Sequence, residues 1–328
     1  MVGLYLILSL LFSGFYFQTT HPWSSSDFYA FTHFSHVYEG YDPLFRLRVL
    51  TPLLAARLAC VARIDLKLIY QALAVLFTFG LLIAYQKYLA NFLRPPFSCV
   101  FSVAILYPMI WNFCLLNNRY FPFDLPSLLF FVMGSHFIYR RNWVAYYPTL
   151  ALATLNRETA CFLLFVFLFC LYSKMPKRTM FWHLSAQALL WGGLKYSTYV
   201  MLGGDSEPLT RLRLDFNIAV VSDMLRVRGN ALKDWAKLAL SFGGVWLVLP
   251  WVFRRQPAFL RGSLLVVVPF VIVTGLTAVI DEVRGYPELI PVLLAPITYA
   301  VAAELGGARG EESLEKDGLI KRRPRPRQ

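Results

Sequence analysis

Residues 143–173 read WVAYYPTLALATLNRETACFLLFVFLFCLYS, an apolar run of about thirty residues that Asn156, Arg157 and Glu158 interrupt. Ionisable groups at membrane depth cost at least ~2.5 kcal/mol each on insertion scales, so they are usually paired, hydrated or functional. A single helix through this run would leave both charges in hydrocarbon. The run therefore predicts two short membrane helices with a break from Asn156 to Thr159, and it directs Arg157 and Glu158 into a polar cleft.

Apolar segments of this kind recur along the whole chain. Hydrophobic residues make up 57% of the sequence and charged residues 16%, whereas a soluble domain has roughly 25% charged residues. We predict an all-α, polytopic transmembrane helical bundle of about ten spans. The predicted spans are 2–17, 66–84, 97–115, 124–139, 143–155, 159–173, 180–202, 235–253, 262–280 and 289–304.

The charges between these spans sort into two sets. Ten Lys/Arg and no acid occupy the connections 87–94, 140–141, 174–178 and 254–261. Short basic loops stay cytoplasmic under the positive-inside rule, which predicts a multi-pass protein of the inner (plasma) membrane with both termini in the cytoplasm. Fourteen of the nineteen Asp/Glu fall in the other five connections, so any chemistry that these acids perform faces outward.

Two outer connections are long enough to form structure within a single membrane domain of residues 1–304. In the connection 18–65, a helix from Phe28 to Phe34 and an amphipathic helix from Leu53 to Ala62 are expected at the membrane surface. The mixed charges of the connection 203–234 predict a solvated cap. The alternative is that some of its arginines bind substrate. Residues 305–328 are rich in charge and Pro and predict a basic, disordered cytoplasmic tail.

The net charge of +13 comes largely from the inner loops and the tail. Anionic lipid headgroups account for this charge, so membrane lipids are expected partners and nucleic acid is not. The five cysteines show no metal-ligand spacing, and the chain has no nucleotide-binding or nucleophile-elbow motif. No metal site and no cofactor are predicted.

Three short outer motifs each pair a base with an acid. They are residues 117–124 with Arg119, residues 155–159, and residues 281–288 with Glu282, Arg284 and Tyr286. Lys195 lies toward the outer end of the seventh span, where it either snorkels to the interface or supplies a counter-charge to a lipid phosphate. A cleft with carboxylates and cations at membrane level suits transfer from a lipid phosphate to a hydroxyl, because the cations stabilise the departing phosphate and a carboxylate takes the proton.

Four features together resemble bacterial multispan glycosyltransferases of the GT-C type. They are Asp27-Phe28-Tyr29 soon after the first span, Arg46-Leu47-Arg48-Val49-Leu50-Thr51-Pro52, Asp124-Leu125-Pro126 at the start of a span, and the break Asn156-Arg157-Glu158-Thr159. The resemblance covers roughly residues 20–160 and, in part, residues 281–288. It implies an integral membrane enzyme with a polyprenyl-phosphate-sugar donor and a glycan or lipid acceptor on the outer face.

The resemblance also implies roles for individual residues. Asp27 matches the first-loop acid that serves as general base. Glu158 and Glu282 would be supporting acids, while Arg157 and Arg284 would bind the donor phosphate. The first loop lacks the paired Asp-Asp found in some members, which leaves dependence on a divalent metal open. The predicted substrate-binding set also includes Arg46, Arg48, Arg119, Lys195 and Tyr286.

Two other classes of membrane protein are alternatives. A secondary transporter or lipid flippase also places charges beside a broken helix. Such a protein normally needs an access path from both sides, and the inner half of each predicted span is almost free of ionisable groups. A non-catalytic membrane subunit of an envelope glycan pathway is the other alternative. Turnover of a polyprenyl-phosphate sugar would separate the enzyme from both.

Overall fold

The computed structural model describes residues 1–20, 47–116, 120–202, 213–226, 231–278 and 285–309. Helices contain 84% of these residues, and no β-strand forms among them. The all-α prediction is therefore confirmed for the described part of the chain. The predicted helix from Phe28 to Phe34 lies outside these residues.

Thirteen helical segments follow one another along the described ranges. Some contain a short 3-10 or π-helical stretch, as in the second half of the fourth helix and the first turn of the seventh. The helices are α1 (Val2–Thr19), α2 (Leu50–Ala62), α3 (Leu66–Leu89), α4 (Pro95–Leu115), α5 (Asp124–Arg140), α6 (Trp143–Asn156), α7 (Glu158–Leu171), α8 (Lys177–Leu202), α9 (Leu214–Leu225), α10 (Ala231–Ala239), α11 (Ser241–Arg255), α12 (Ala258–Thr277) and α13 (Leu289–Glu304).

Fewer helices can cross a membrane than the sequence predicts. Among the described residues, α1, α3, α4 and α12 are long and apolar enough, and the pair α10–α11, bent by 64°, gives a fifth span if it counts as one. The prediction of about ten spans is not confirmed. One reason is length, because α6 has 14 residues and rises only about 21 Å, less than the ~30 Å of a hydrocarbon core.

The centre of the bundle is aromatic and tightly packed. Helix α5 packs between α3 and α6, and α1 packs against α3. Buried tyrosines fill these contacts, and two of them tie α1 to α4 and its following loop. The hydroxyl of Tyr5 lies 2.6 Å from Ser102 Oγ, and the ring of Tyr16 lies 5.5 Å from that of Tyr120. Apolar burial and a few internal hydrogen bonds therefore position the ends of the helices.

The four loops that are predicted to be cytoplasmic meet at one end of the bundle, here called the basic end. Arg141 Nη2 donates to the Lys174 carbonyl at 3.2 Å. The Phe92 ring packs against Tyr139 and Phe259, with centroids 4.9 and 6.1 Å away. The loops that the sequence groups by their basic charge therefore also lie close together in the structure. Which end faces the cytoplasm remains a prediction.

The first residues of the predicted tail belong to this end of the bundle. The backbone N–H of Arg94 donates to the Gly307 carbonyl at 2.9 Å, and that of Arg309 donates to Phe92 at the same distance. Leu93 and Ala308 form an antiparallel bridge. Ordered chain therefore extends at least to Arg309, five residues beyond the domain boundary that the sequence predicts, and residues 310–328 lie outside the described ranges.

The two predicted outer connections are helical where the structure describes them. Helix α2 confirms the helix predicted from Leu53 to Ala62 and begins three residues earlier. Its Ala55 is buried, whereas Leu58 and Val61 are exposed. The predicted solvated cap contains α9 and the start of α10. Asn217 on α9 donates to the carbonyls of Gly275 and Ala278 at 2.6 and 2.7 Å, which fixes α9 to the C-terminal end of α12.

Candidate functional site

The predicted break between two short helices is present. Helix α6 ends at Asn156, Arg157 is extended with φ −157° and ψ 146°, and α7 begins at Glu158. The buried Asn156 amide holds the break in place. Its Nδ2 donates to the Phe123 carbonyl and to Ser127 Oγ, both at 2.9 Å, and its Oδ1 accepts from Thr51 Oγ1 at 2.8 Å. One side chain thereby links the ends of α2, α5 and α6.

Glu158 forms a two-point ion pair with Arg48, which precedes α2. Arg48 Nε donates to Glu158 Oε2 at 3.0 Å, and its Nη2 pairs with Oε1. The Arg48 guanidinium carbon also lies 4.3 Å from the centroid of the Phe123 ring. Arg48 is buried, whereas a third of the Glu158 side chain is exposed, at 33%. Within the described residues, this pair is therefore the part of the site that reaches the protein surface.

Arg157 points into the bundle and joins three segments of the chain. Its Nη1 lies 3.3 Å from Asp124 Oδ1, and its Nη2 donates to the Gly285 carbonyl at 3.2 Å. Asp124 is the first residue of α5, and both charged side chains are buried. Replacing one member of a buried ion pair lowers the stability of the protein, because the remaining charge stays buried without compensation. Arg157 is thus buried in the protein, and Glu158, the other charge of the break, pairs with Arg48.

A third carboxyl group lies beside this pair. Glu288, directly before α13, is buried and accepts a hydrogen bond from the Thr159 hydroxyl through Oε1. Within the described residues its Oε2 has no hydrogen-bond partner. It lines a small cavity of about 10 Å³ together with Ser127, Phe131, Ala153, Arg157, Ala160 and Leu163. The lining is mostly apolar, and a cavity of that size is at the lower limit for one water molecule.

Lys195 approaches the cluster from α8. Its Nζ donates to the Leu47 carbonyl at 3.1 Å, and the residue is buried, so it does not snorkel to the interface. Trp191, one turn earlier on the same helix, donates from Nε1 to the Glu158 carbonyl at 3.0 Å. We call Arg48, Asp124, Arg157, Glu158, Lys195 and Glu288 the charged cluster, and the end of the bundle that contains it the site end.

The cluster contains three cations and three carboxyl groups, and the pKa values of Glu158 and Glu288 are shifted in opposite directions. Burial disfavours ionisation of Glu158, but the nearby charges of Arg48, Lys195 and Arg157 outweigh it and lower the pKa of this carboxyl well below its usual range. Burial raises the pKa of Glu288, and the charge of Arg157 offsets only part of the rise. With Glu288 in its neutral form, the six side chains of the cluster carry three positive and two negative charges.

The structure places five of the ten predicted site residues. Glu158, Arg48, Arg157 and Lys195 come together in the charged cluster. Tyr286 is buried beside it and packs on Phe270 of α12 with ring centroids 5.9 Å apart, so its described contacts are those of a core residue. The other five lie outside the described residues and stay predictions: Asp27, Arg46, Arg119, Glu282 and Arg284.

Sequence reasoning missed two members of the cluster as site residues. Asp124 was recognised only as part of a motif, and Glu288 only as the last acid of the 281–288 motif. Each immediately precedes or begins an apolar helix, which is the signal that could have identified them. Among the described residues, no group of three or more His, Cys, Asp or Glu side chains is arranged to hold a metal ion.

Comparison of the chain with protein-family models, with curated protein sequences and with solved structures finds no match. The resemblance to GT-C glycosyltransferases therefore rests on the sequence motifs alone. The arguments for function that follow rest on the chemistry of the charged cluster and on its position at one end of an apolar bundle.

Proposed function

We propose that this protein is an integral membrane glycosyltransferase that moves a sugar from a polyprenyl-phosphate donor to an acceptor on the outer face of the membrane. The observation that supports it is the charged cluster, which holds three cations and three carboxyl groups at one end of an otherwise apolar bundle. A phosphate at the membrane surface requires cations in a site of low dielectric constant, and a hydroxyl acceptor requires a carboxylate.

The reaction exchanges one bond at the anomeric carbon and moves one proton. The acceptor oxygen bonds to the anomeric carbon of the sugar, the bond from that carbon to the phosphate oxygen breaks, and polyprenyl phosphate leaves with the electron pair. A carboxylate accepts the proton of the hydroxyl group. In the proposal Asp27 is this base, with Glu282 as a supporting acid. Glu158 is a weaker base because the cations around it stabilise its charged form, so its role is to hold Arg48.

Lys195 is the cation that is best placed to meet the donor phosphate. The two arginines already bind carboxylates, since Arg48 pairs with Glu158 and Arg157 pairs with Asp124. Among the described residues, the Lys195 ammonium makes one hydrogen bond, to the Leu47 carbonyl. An ammonium group has three donors, so two remain for phosphate oxygens. The partly exposed carboxylate of Glu158 marks the face from which the donor arrives.

A transporter or flippase is the second candidate, because a broken helix with buried charges is also typical of transporters. The packing of the basic end favours the enzyme. Phe92, Tyr139 and Phe259 fill the space between three of the loops there, so the described chain shows no path from that end to the cluster. An enzyme whose substrates all arrive from one side of the membrane does not need such a path.

The test is turnover of purified protein with a panel of polyprenyl-phosphate sugars and hydroxyl acceptors, followed by release of polyprenyl phosphate. We expect Asp27→Asn to abolish transfer and leave donor binding largely intact, because the amide is nearly isosteric but cannot take the proton. Lys195→Met should weaken donor binding roughly tenfold. Lys233→Met, which removes an exposed lysine on α10, is the matched control and should leave both unchanged.

Two outcomes would count against the proposal. Equal turnover in the wild type and in Asp27→Asn would remove Asp27 from the mechanism. Absence of turnover with every donor, combined with movement of a labelled lipid donor across proteoliposome membranes, would favour the flippase.

A further inference from the structure

Three cations lie on two loops of the basic end that are in contact. Arg141 follows α5, Lys174 lies between α7 and α8, and Lys177 begins α8. Arg141 Nη2 donates to the Lys174 carbonyl at 3.2 Å, which holds the two loops together, and Lys177 Nζ lies 3.0 Å from the centroid of the Tyr172 ring. Among the described residues, no Asp or Glu forms a salt bridge with any of the three.

The positive charges of Arg141 and Lys174 lie close enough to repel each other at the protein surface. Partial burial lowers the pKa of the Lys174 ammonium, and the nearby charge of Arg141 lowers it further. Arg141 also has φ 53°, in the left-handed region that Gly usually occupies after a helix. An anion between the two loops would offset the repulsion between the two cations. Arg255, at the same end, is different because it pairs with Glu304 at 2.7 Å.

The neighbouring side chains indicate the level at which these cations lie relative to the membrane. Phe181 and Trp182 lie one turn beyond Lys177 on α8 and are 62% and 61% exposed. Val144, at the start of α6, is 88% exposed. Exposed aromatic residues next to basic residues are typical of the level of the lipid headgroups. An anion bound between these loops would therefore lie among headgroups instead of in open solution.

We propose that Arg141, Lys174 and Lys177 bind the phosphate of an anionic phospholipid in the leaflet at the basic end. The headgroup phosphate accepts hydrogen bonds from the guanidinium and the ammonium groups, and the acyl chains lie along the apolar surface near Trp182 and Val144. The site lies at the opposite end of the bundle from the charged cluster and is independent of sugar transfer.

The test uses detergent-purified full-length protein and native mass spectrometry to count bound lipid. Short-chain phosphatidylglycerol, phosphatidylcholine and inorganic phosphate are titrated separately and in competition. We expect saturable binding of phosphatidylglycerol, binding of phosphatidylcholine that is weaker by at least about tenfold, and no displacement by inorganic phosphate. Equal binding of the two lipids would overturn the proposal, and so would displacement by inorganic phosphate, which would identify a site for free phosphate.

Two variants separate binding from folding. Arg141→Gly removes the charge but suits the left-handed backbone, so it should melt at or above the wild-type temperature and bind phosphatidylglycerol roughly fivefold more weakly. Lys174→Gln should show a similar loss. Arg255→Gln removes a cation that Glu304 already pairs, and it should bind as the wild type does. Unchanged affinity in the first two variants, or an equal loss in all three, would overturn the proposal.

Discussion

At the scale of single residues, the site is a set of buried charges that stabilise one another. Glu158 stays ionised because Arg48 and Lys195 are close, and Asp124 compensates the buried charge of Arg157. Glu288 differs, because burial favours its neutral form. The cluster therefore combines one carboxylate whose pKa is lowered, Glu158, with one carboxyl group whose pKa is raised, Glu288.

This difference predicts how stability depends on pH. Because the folded protein holds the Glu288 proton more tightly than the unfolded chain, the contribution of Glu288 is complete below the ordinary pKa of 4.5. That contribution is lost as the pH rises through the higher folded value. We expect the Tm of the wild type to fall over this interval, and Glu288→Gln, whose side chain is always neutral, to lose less. Thermal unfolding in detergent at a series of pH values measures both.

Glu304→Gln is the control for this measurement, since Glu304 is exposed at the basic end. It should follow the wild-type curve. If Glu288→Gln loses stability with the same slope as the wild type, Glu288 does not retain its proton in the folded protein and the charge assigned to the cluster is wrong.

The residues of the site were only partly predictable. The sequence shows that Arg157 and Glu158 interrupt an apolar run, where charged groups are energetically unfavourable. The structure places both residues in the cluster. Their partners are not visible, because contacts such as Thr159 to Glu288 join residues 129 positions apart. No local pattern records a pairing over that distance, so Glu288 looked like one more acid in an outer loop.

At the scale of elements, breaks and close approaches determine how the helices fit. The break at Arg157 was predictable from the two charges. The bend between α10 and α11 was not, and there Phe242, Gly243 and Gly244 all have positive φ while the Phe242 N–H donates to Asn112 Oδ1 at 2.8 Å. Hydropathy alone reads such bent or short pieces as complete spans, and the prediction of about ten spans is therefore not confirmed by helix length and composition.

A close approach between α7 and α12 gives a second prediction. A Cβ atom on Gly262 would lie 3.0 Å from the Phe169 carbonyl oxygen and 3.1 Å from Cys170 Cα, so the two helices would have to separate. We expect Gly262→Ala to lower stability by about 1–3 kcal/mol. Gly275→Ala, in the same helix but with no atom within 4 Å of the added Cβ, should be neutral or stabilising. Thermal unfolding of the two variants in detergent tests this, and equal Tm values would contradict the assigned packing.

At the scale of the whole molecule, charge sorts the chain into two ends. The loops that carry ten Lys/Arg and no acid meet at the basic end, and the charged cluster lies at the opposite ends of α6 and α7. This separation was predictable because loop charge needs no knowledge of packing. The side of the membrane that each end faces stays a prediction, and outward transfer depends on it.

Labelling of single cysteines in intact cells tests this orientation most directly. The five native cysteines are first replaced, and then Asp223→Cys on α9 and Arg140→Cys at the basic end are made separately, both at exposed positions. Helix α9 reports on the site end because Asn217 fixes it to the C-terminal end of α12. We predict that a membrane-impermeant maleimide labels position 223 in intact cells and labels position 140 only after the cells are permeabilised. Labelling of position 140 in intact cells, with position 223 protected, would contradict the account and the outward-facing site with it.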